Sequence, residues 1–118
     1  MGIKELIKSV LMFLHIDMTR NIRNDRLTLK IISEKLTATS NGIDVGCHKG
    51  EILDYFLKYA PKGKHFAFEP IPELSKNLEL KYGASVKVFD CALSDENTKT
   101  TFQWVKNDPA YSGLRQRK

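Results

Sequence analysis

One stretch constrains this chain more than any other: Gly42-Ile43-Asp44-Val45-Gly46-Cys47-His48-Lys49-Gly50, followed by Phe66-Ala67-Phe68-Glu69-Pro70. A short apolar strand that runs into a glycine turn, opens a helix and leads to a second strand ending in a carboxylate is how an α/β sheet builds a nucleoside pocket. The pattern points to a ligand that carries adenosine.

Each residue type has a physical task there. Gly46 lacks a Cβ, so the chain can turn sharply at the strand end and the backbone can approach a ligand; Gly50 can act in the same way where the helix begins. The free N–H groups and positive dipole end of that helix favour an anionic group by about 0.3–1 kcal/mol at an exposed site. Asp44, just before the turn, is placed to fix a ligand ammonium directly or through water. Glu69, at the end of the next strand, is placed to accept hydrogen bonds from both ribose hydroxyls. Ile43 to Glu69 is also close to the length of about 30 residues that a strand–helix–strand unit needs. The middle glycine of the dinucleotide pattern is His48 in this chain.

Three segments, Asp44-Val45-Gly46-Cys47-His48-Lys49-Gly50, Phe68-Glu69-Pro70-Ile71-Pro72 and Cys91-Ala92-Leu93-Ser94-Asp95, resemble in order and spacing the successive signatures of the FkbM-type S-adenosylmethionine-dependent methyltransferases. The resemblance covers about Asn41 to Arg117. It implies an α/β, Rossmann-like class I methyltransferase fold with S-adenosylmethionine as cofactor. Asp44, Gly46 and Gly50 would line the methionine end, with Cys47 and His48 in the same turn. Glu69 would hold the ribose, followed by Pro70, and Asp90, Cys91 and Ala92 would border the adenine. Tyr111-Ser112-Gly113-Leu114-Arg115 resembles a segment that lies near the active site in such enzymes. The implied reaction is methyl transfer to a hydroxyl oxygen of a small acceptor such as a sugar or a polyketide. No residue is assigned as catalytic base.

Complete members of that family have a larger sheet and a longer chain. The 118 residues here, with 42% apolar content, are enough for one modest core. The expectation is therefore a helical segment over residues 1–40 and a partial cofactor-binding domain over 41–118, cut after the third strand and one further strand and inactive alone. In the family's strand order, Ile43 to Val45 would then be an open edge, a template for self-association.

Cys47 and Cys91 have no spacing that suggests a disulfide framework and read as reduced thiols of a cytoplasmic protein. With His15, His48 and His65 they form no metal-ligand pattern, so no metal is expected. The net charge of +5 splits into +3 over residues 1–40 and +2 over the rest. Basicity this dispersed is compatible with an acidic ligand or an anionic membrane surface and does not require nucleic acid. The apolar run Val10 to Leu14 is too short for a signal peptide or a membrane span.

Ile3, Leu6, Ile7, Val10, Leu11 and Leu14 recur at helical spacing and predict an amphipathic helix over Gly2 to His15, whose stripe reads first as a packing face. Lys4 and Lys8 opposite keep a membrane-surface or partner helix open as a second reading. Met18 to Asp25 reads as a polar connector, and Leu27, Ile31, Ile32 and Leu36 predict a second helix over Asp25 to Thr37. After the glycine turn, the next helix carries Ile52, Phe56 and Tyr59 on one face with Leu53, Leu57 and Ala60 beside them, and is closed by Pro61 and Gly63. His65 to Phe68 is the second strand, Pro72 to Gly83 frames a helix with the stripe Leu74, Leu78 and Tyr82, Val86 to Phe89 is the third strand, and Thr100 to Val105 a fourth.

Two other readings compete. An NAD-dependent oxidoreductase would place Glu69 on the adenosine ribose in the same way, but would prefer glycine at position 48 for the pyrophosphate. A non-catalytic cofactor-binding or partner-binding domain is the other. Asp90 either bonds the adenine amino group or caps the turn after the third strand.

Overall fold

The computed structural model describes residues 2–14, 20–104, 106 and 113. It divides into two compact units, Met1–Leu36 and Thr37–Lys118.

The first unit holds α1 (Ile3–Phe13) and α2 (Arg20–Lys35). The N–H of Gly2 donates to Glu5 Oε2 at 2.9 Å, which occupies one of the donors that a helix start leaves free. Lys8 and Asp25 form an ion pair between the two helices. α1 buries none of its residues; Ile3, Leu6, Ile7, Val10 and Phe13 are all exposed. Of the stripe that reads as a packing face, only Leu11 is half-buried among the described residues.

α2 corrects the sequence reading at both ends. It begins at Arg20, so most of the predicted connector is helical, and it ends at Lys35, short of Thr37. The segment is polar but contains no proline or glycine to stop a helix, and Ile22 within it is buried. The shielded side is Ile22, Leu29, Ile32 and Leu36, whereas Leu27 and Ile31 are exposed. His15 lies outside the described residues.

The second unit is an α/β layer pair: β1 (Gly42–Val45), α3 (Glu51–Tyr59), β2 (His65–Phe68), α4 (Pro72–Tyr82), a 3-10 turn (Gly83–Ser85) and β3 (Val86–Phe89). The three strands are parallel in the order β1-β2-β3, with Gly42 opposite His65 and His65 opposite Val86. Pro72 opens α4, where its missing N–H is no loss, and Gly83 with φ of 53° closes it. Among the described residues no helix is long and apolar enough to cross a membrane.

Side chains alternate along a strand, so one face of the sheet carries Gly42, Asp44, His65, Ala67 and Val86. α3 packs on this face: the Phe56 ring stacks on the His65 imidazole at 5.6 Å, and a Cβ on Gly42 would collide with that ring. The His65 Nε2–H donates to the Ala60 carbonyl, 2.8 Å away. The core includes Leu53 and Phe56 of α3 with Ala60 just after it, Leu78 and Tyr82 of α4, Ala67 and Val86. The buried side at α3 is thus centred on Leu53, Phe56 and Ala60, within the predicted apolar set, while Ile52, Leu57 and Tyr59 at its flanks are half-buried. The other sheet face carries Ile43 and Val45, 62% and 56% exposed, with Phe66 and a stacked Phe68–Phe89 pair at 4.9 Å.

The predicted fourth strand does not form among the described residues. Gln103 makes one isolated antiparallel bridge to Gly113, its N–H donating to the Gly113 carbonyl at 2.7 Å. Val105 lies outside the described residues, as does Tyr111-Ser112-Gly113-Leu114-Arg115 apart from Gly113.

Candidate functional site

The parallel ladder carries β1 one step beyond its end, where the Gly46 N–H donates to the Phe68 carbonyl at 2.8 Å. Gly46 then turns with φ of 76°, and the position a Cβ would take has no atom within 4 Å. The turn closes when the Gly50 N–H donates to the Cys47 carbonyl at 2.8 Å. His48 sits inside it with φ of 51°, the one non-glycine residue with positive φ among those described. Left-handed backbone is disfavoured for a residue with a Cβ, and such conformations gather at functional turns.

Glu69 explains how His48 is held. Its carboxylate, 2% exposed, accepts the His48 N–H at Oε2 (3.0 Å) and the Ile71 N–H at Oε1 (3.1 Å). Its own N–H donates to the Phe89 carbonyl at 3.0 Å. Glu69 therefore straps the loop after β1 to the loop after β2. Each carboxylate oxygen has a further lone pair beyond these bonds.

Asp44 stands on the helix-covered face of β1, half-buried, and its Oδ2 is buried without a hydrogen-bond partner among the described residues. Burial pushes its carboxyl above the usual carboxylate range, and the Glu69 charge adds to this against opposing effects of Cys47 and His48. A carboxyl whose folded pKa is raised opposes folding once ionised: stability falls as pH climbs from the unfolded value towards the folded one, and the loss persists at neutral pH. A cationic or N–H-bearing group at Oδ2 would offset that loss.

Cys47 is buried beneath the turn, its thiol directed at the Asp44 carbonyl at 3.0 Å. Burial, reinforced by the Asp44 charge, pushes the thiol up to about 12. Thiolate is the nucleophile, so this cysteine is inert at neutral pH. Cys91 is exposed. Iodoacetamide at pH 8 should therefore label Cys91 on the native protein and reach Cys47 only after unfolding, as read by peptide mass spectrometry; equal labelling of both would contradict the buried placement.

Six of the residues singled out in the sequence, Asp44, Gly46, Cys47, His48, Gly50 and Glu69, thus meet at the carboxyl ends of β1 and β2. Pro70 follows, half-buried. Asp90 and Cys91, exposed, and Ala92, half-buried, lie at the end of β3, the next strand along. Among the described residues no group of three His, Cys, Asp or Glu side chains could hold a metal ion.

Sequence reading missed a second set of residues behind the turn. The Tyr82 hydroxyl lies 2.7 Å from the Gly50 carbonyl and 2.6 Å from Asp54 Oδ1. Lys81 Nζ reaches Asp54 Oδ2 at 3.1 Å and the Lys49 carbonyl at 3.3 Å. The signal available was a tyrosine at the end of an apolar stripe, since a buried tyrosine needs a partner for its hydroxyl.

No family model matches the chain. Over 75 residues, 61% of its length, it is 32% identical to the AMB antimetabolite synthetase AmbE of Pseudomonas aeruginosa, and it spans 4% of that protein. Among solved structures it is similar to the 1,6-didemethyltoxoflavin-N1-methyltransferase of Burkholderia thailandensis, crystallised with 1,6-didemethyltoxoflavin and S-adenosylhomocysteine. That likeness has a TM-score of 0.43 at 18% identity, over 85% of this chain and 47% of the other.

Proposed function

We propose that the strand-end site binds S-adenosylmethionine and that the chain is the cofactor-binding part of a methyltransferase of the FkbM type. The acceptor in this reading is a hydroxyl oxygen of a small molecule such as a sugar or a polyketide. The observation that carries it is the unpartnered Oδ2 of Asp44 beside the left-handed Gly46, whose Cβ position is open space, at the carboxyl ends of parallel strands. Ligands of open α/β sheets bind at that end.

The residues present fit the cofactor. Asp44 would take the ammonium of its methionine part, and Gly46 would let the backbone come close to it. No side chain caps the start of α3, so the N–H groups of its first turn can face the ligand carboxylate. The remaining lone pairs of Glu69 would take the ribose hydroxyls, and Asp90, Cys91 and Ala92 would border the adenine. Cys47 and Pro70 shape the two loops and do not react. The bound cofactor supplies an electrophilic methyl group on a sulfonium, and aligning the acceptor oxygen with it can contribute roughly 7–11 kcal/mol.

Isothermal calorimetry of this chain with S-adenosylmethionine, S-adenosylhomocysteine and NAD tests the reading. The first two should bind and NAD should not. Gly46→Ala should fold, with a strain of about 1–2 kcal/mol, yet bind S-adenosylhomocysteine at least about tenfold more weakly because its methyl enters the open space. Absence of binding to the wild-type chain at about 1 mM ligand, or a preference for NAD, would overturn it.

A further inference from the structure

We infer that Tyr82 is a positioning residue for the strand-end site, holding the turn from Gly46 to Gly50 in its binding geometry through the Gly50 carbonyl. This rests on the reading just given. The helix-side end of the turn has little local support: the N-cap of α3 is a glycine with no side-chain cap, and Glu69 holds the turn further back, at the His48 N–H. Support arrives instead from the last turn of α4. The Tyr82 hydroxyl has one proton, shared between two acceptors, the Gly50 carbonyl at 2.7 Å and Asp54 Oδ1 at 2.6 Å, and so bridges the last residue before α3 and a carboxylate on the helix itself. Burial, aided by the bond to Asp54 and its charge, raises the phenol's pKa and keeps it a donor. Lys81 neutralises the far oxygen of the same carboxylate and also reaches the Lys49 carbonyl, so two successive carbonyls of the turn are held.

Gly50 is shaped to this contact. A Cβ there would collide with the Tyr82 hydroxyl, and φ is 87°. The second glycine of the motif therefore has a reason to be glycine that involves no ligand, in contrast to Gly46, which faces open space. The rest of the turn depends on where Gly50 sits, because its N–H closes the turn on Cys47 and its carbonyl accepts the first helical N–H, that of Asp54, at 3.0 Å. A phenylalanine at position 82 would pack the core equally well. The hydroxyl is the part that the turn uses.

The test is Tyr82→Phe in the chain as it stands, followed by amide hydrogen exchange and calorimetry. Exchange at the N–H groups of His48, Gly50 and Asp54 should accelerate by about tenfold, the scale of one lost hydrogen bond. Exchange at Gly46 and Glu69, whose N–H groups belong to the sheet ladders, should be unchanged. The affinity for S-adenosylhomocysteine should fall about tenfold, and saturating ligand should restore slow exchange in the turn. Unchanged exchange at the three turn amides overturns the inference, as does equal affinity of variant and wild type. A merely structural role would instead accelerate turn and ladder amides together. A wild-type chain that binds no S-adenosylhomocysteine refutes the proposed function, and the exchange result then still decides whether Tyr82 holds the turn.

Discussion

Replacing Glu69 with alanine should lower the unfolding free energy by about 2–6 kcal/mol with no ligand present. The carboxylate is buried and accepts two backbone N–H groups, from His48 and Ile71, that belong to different loops. Removing it leaves both donors without a partner, and each buried unsatisfied group costs about 1–3 kcal/mol. Glu69→Gln should be nearly as damaging, since one of its two terminal atoms is an NH₂ that faces an N–H donor. Urea denaturation measures both. A loss below about 1 kcal/mol for Glu69→Ala would show that the strap does not support the fold. Under the proposed function, a loss of ligand affinity in Glu69→Ala would therefore combine a disordered turn with missing ribose contacts.

The second large effect is expected at Gly50. Gly50→Ala should destabilise the chain by more than about 3 kcal/mol, combining left-handed strain of about 1–2 kcal/mol with a collision against the Tyr82 hydroxyl. Gly46→Ala meets only the strain. For a unit of this size each kcal/mol moves the melting temperature by about 4–8 °C, so the two variants should separate clearly in a thermal scan. The two glycines of one motif would then differ in kind, Gly50 meeting the Tyr82 hydroxyl and Gly46 facing open space, which the proposed function gives to the ligand. Equal melting temperatures for the two variants would contradict the close approach of Tyr82.

How much of this was legible in the sequence depends on how far apart the interacting residues lie. β2 and β3 occupy the stretches His65–Phe68 and Val86–Phe89 that the sequence marks, because short apolar runs bounded by glycine and charged residues carry their own limits. α4 was equally readable from Pro72 and Gly83. α2 was not: its start at Arg20 lies in polar sequence where Thr19 is a single weak capping signal, and burial of Ile22 is a property of the packed unit. The Thr100 to Val105 stretch has strand-like alternation, but an alternating pattern names no partner, and Gln103 pairs back to Gly113. In the site, the left-handed glycine turn is local and was readable. Glu69 was placed at its strand end by sequence, yet its bond to His48 joins residues 21 apart, and the Tyr82 bond to Gly50 joins residues 32 apart. Nothing in residue types alone encodes those contacts.

The register of the sheet also bears on how the chain finds its fold. Gly42 pairs with His65 and His65 with Val86, offsets of 23 and 21 residues. Closing loops of such similar length differs in entropy by less than about 0.1 kcal/mol, so chain connectivity does not rank one pairing before the other. Parallel sheets are slow to form when their strands are distant in sequence, and here each crossover is short. β2 belongs to both ladders, so neither pairing exists until His65 to Phe68 is extended. From that strand the chain has two nearly equivalent routes to the same three-stranded sheet.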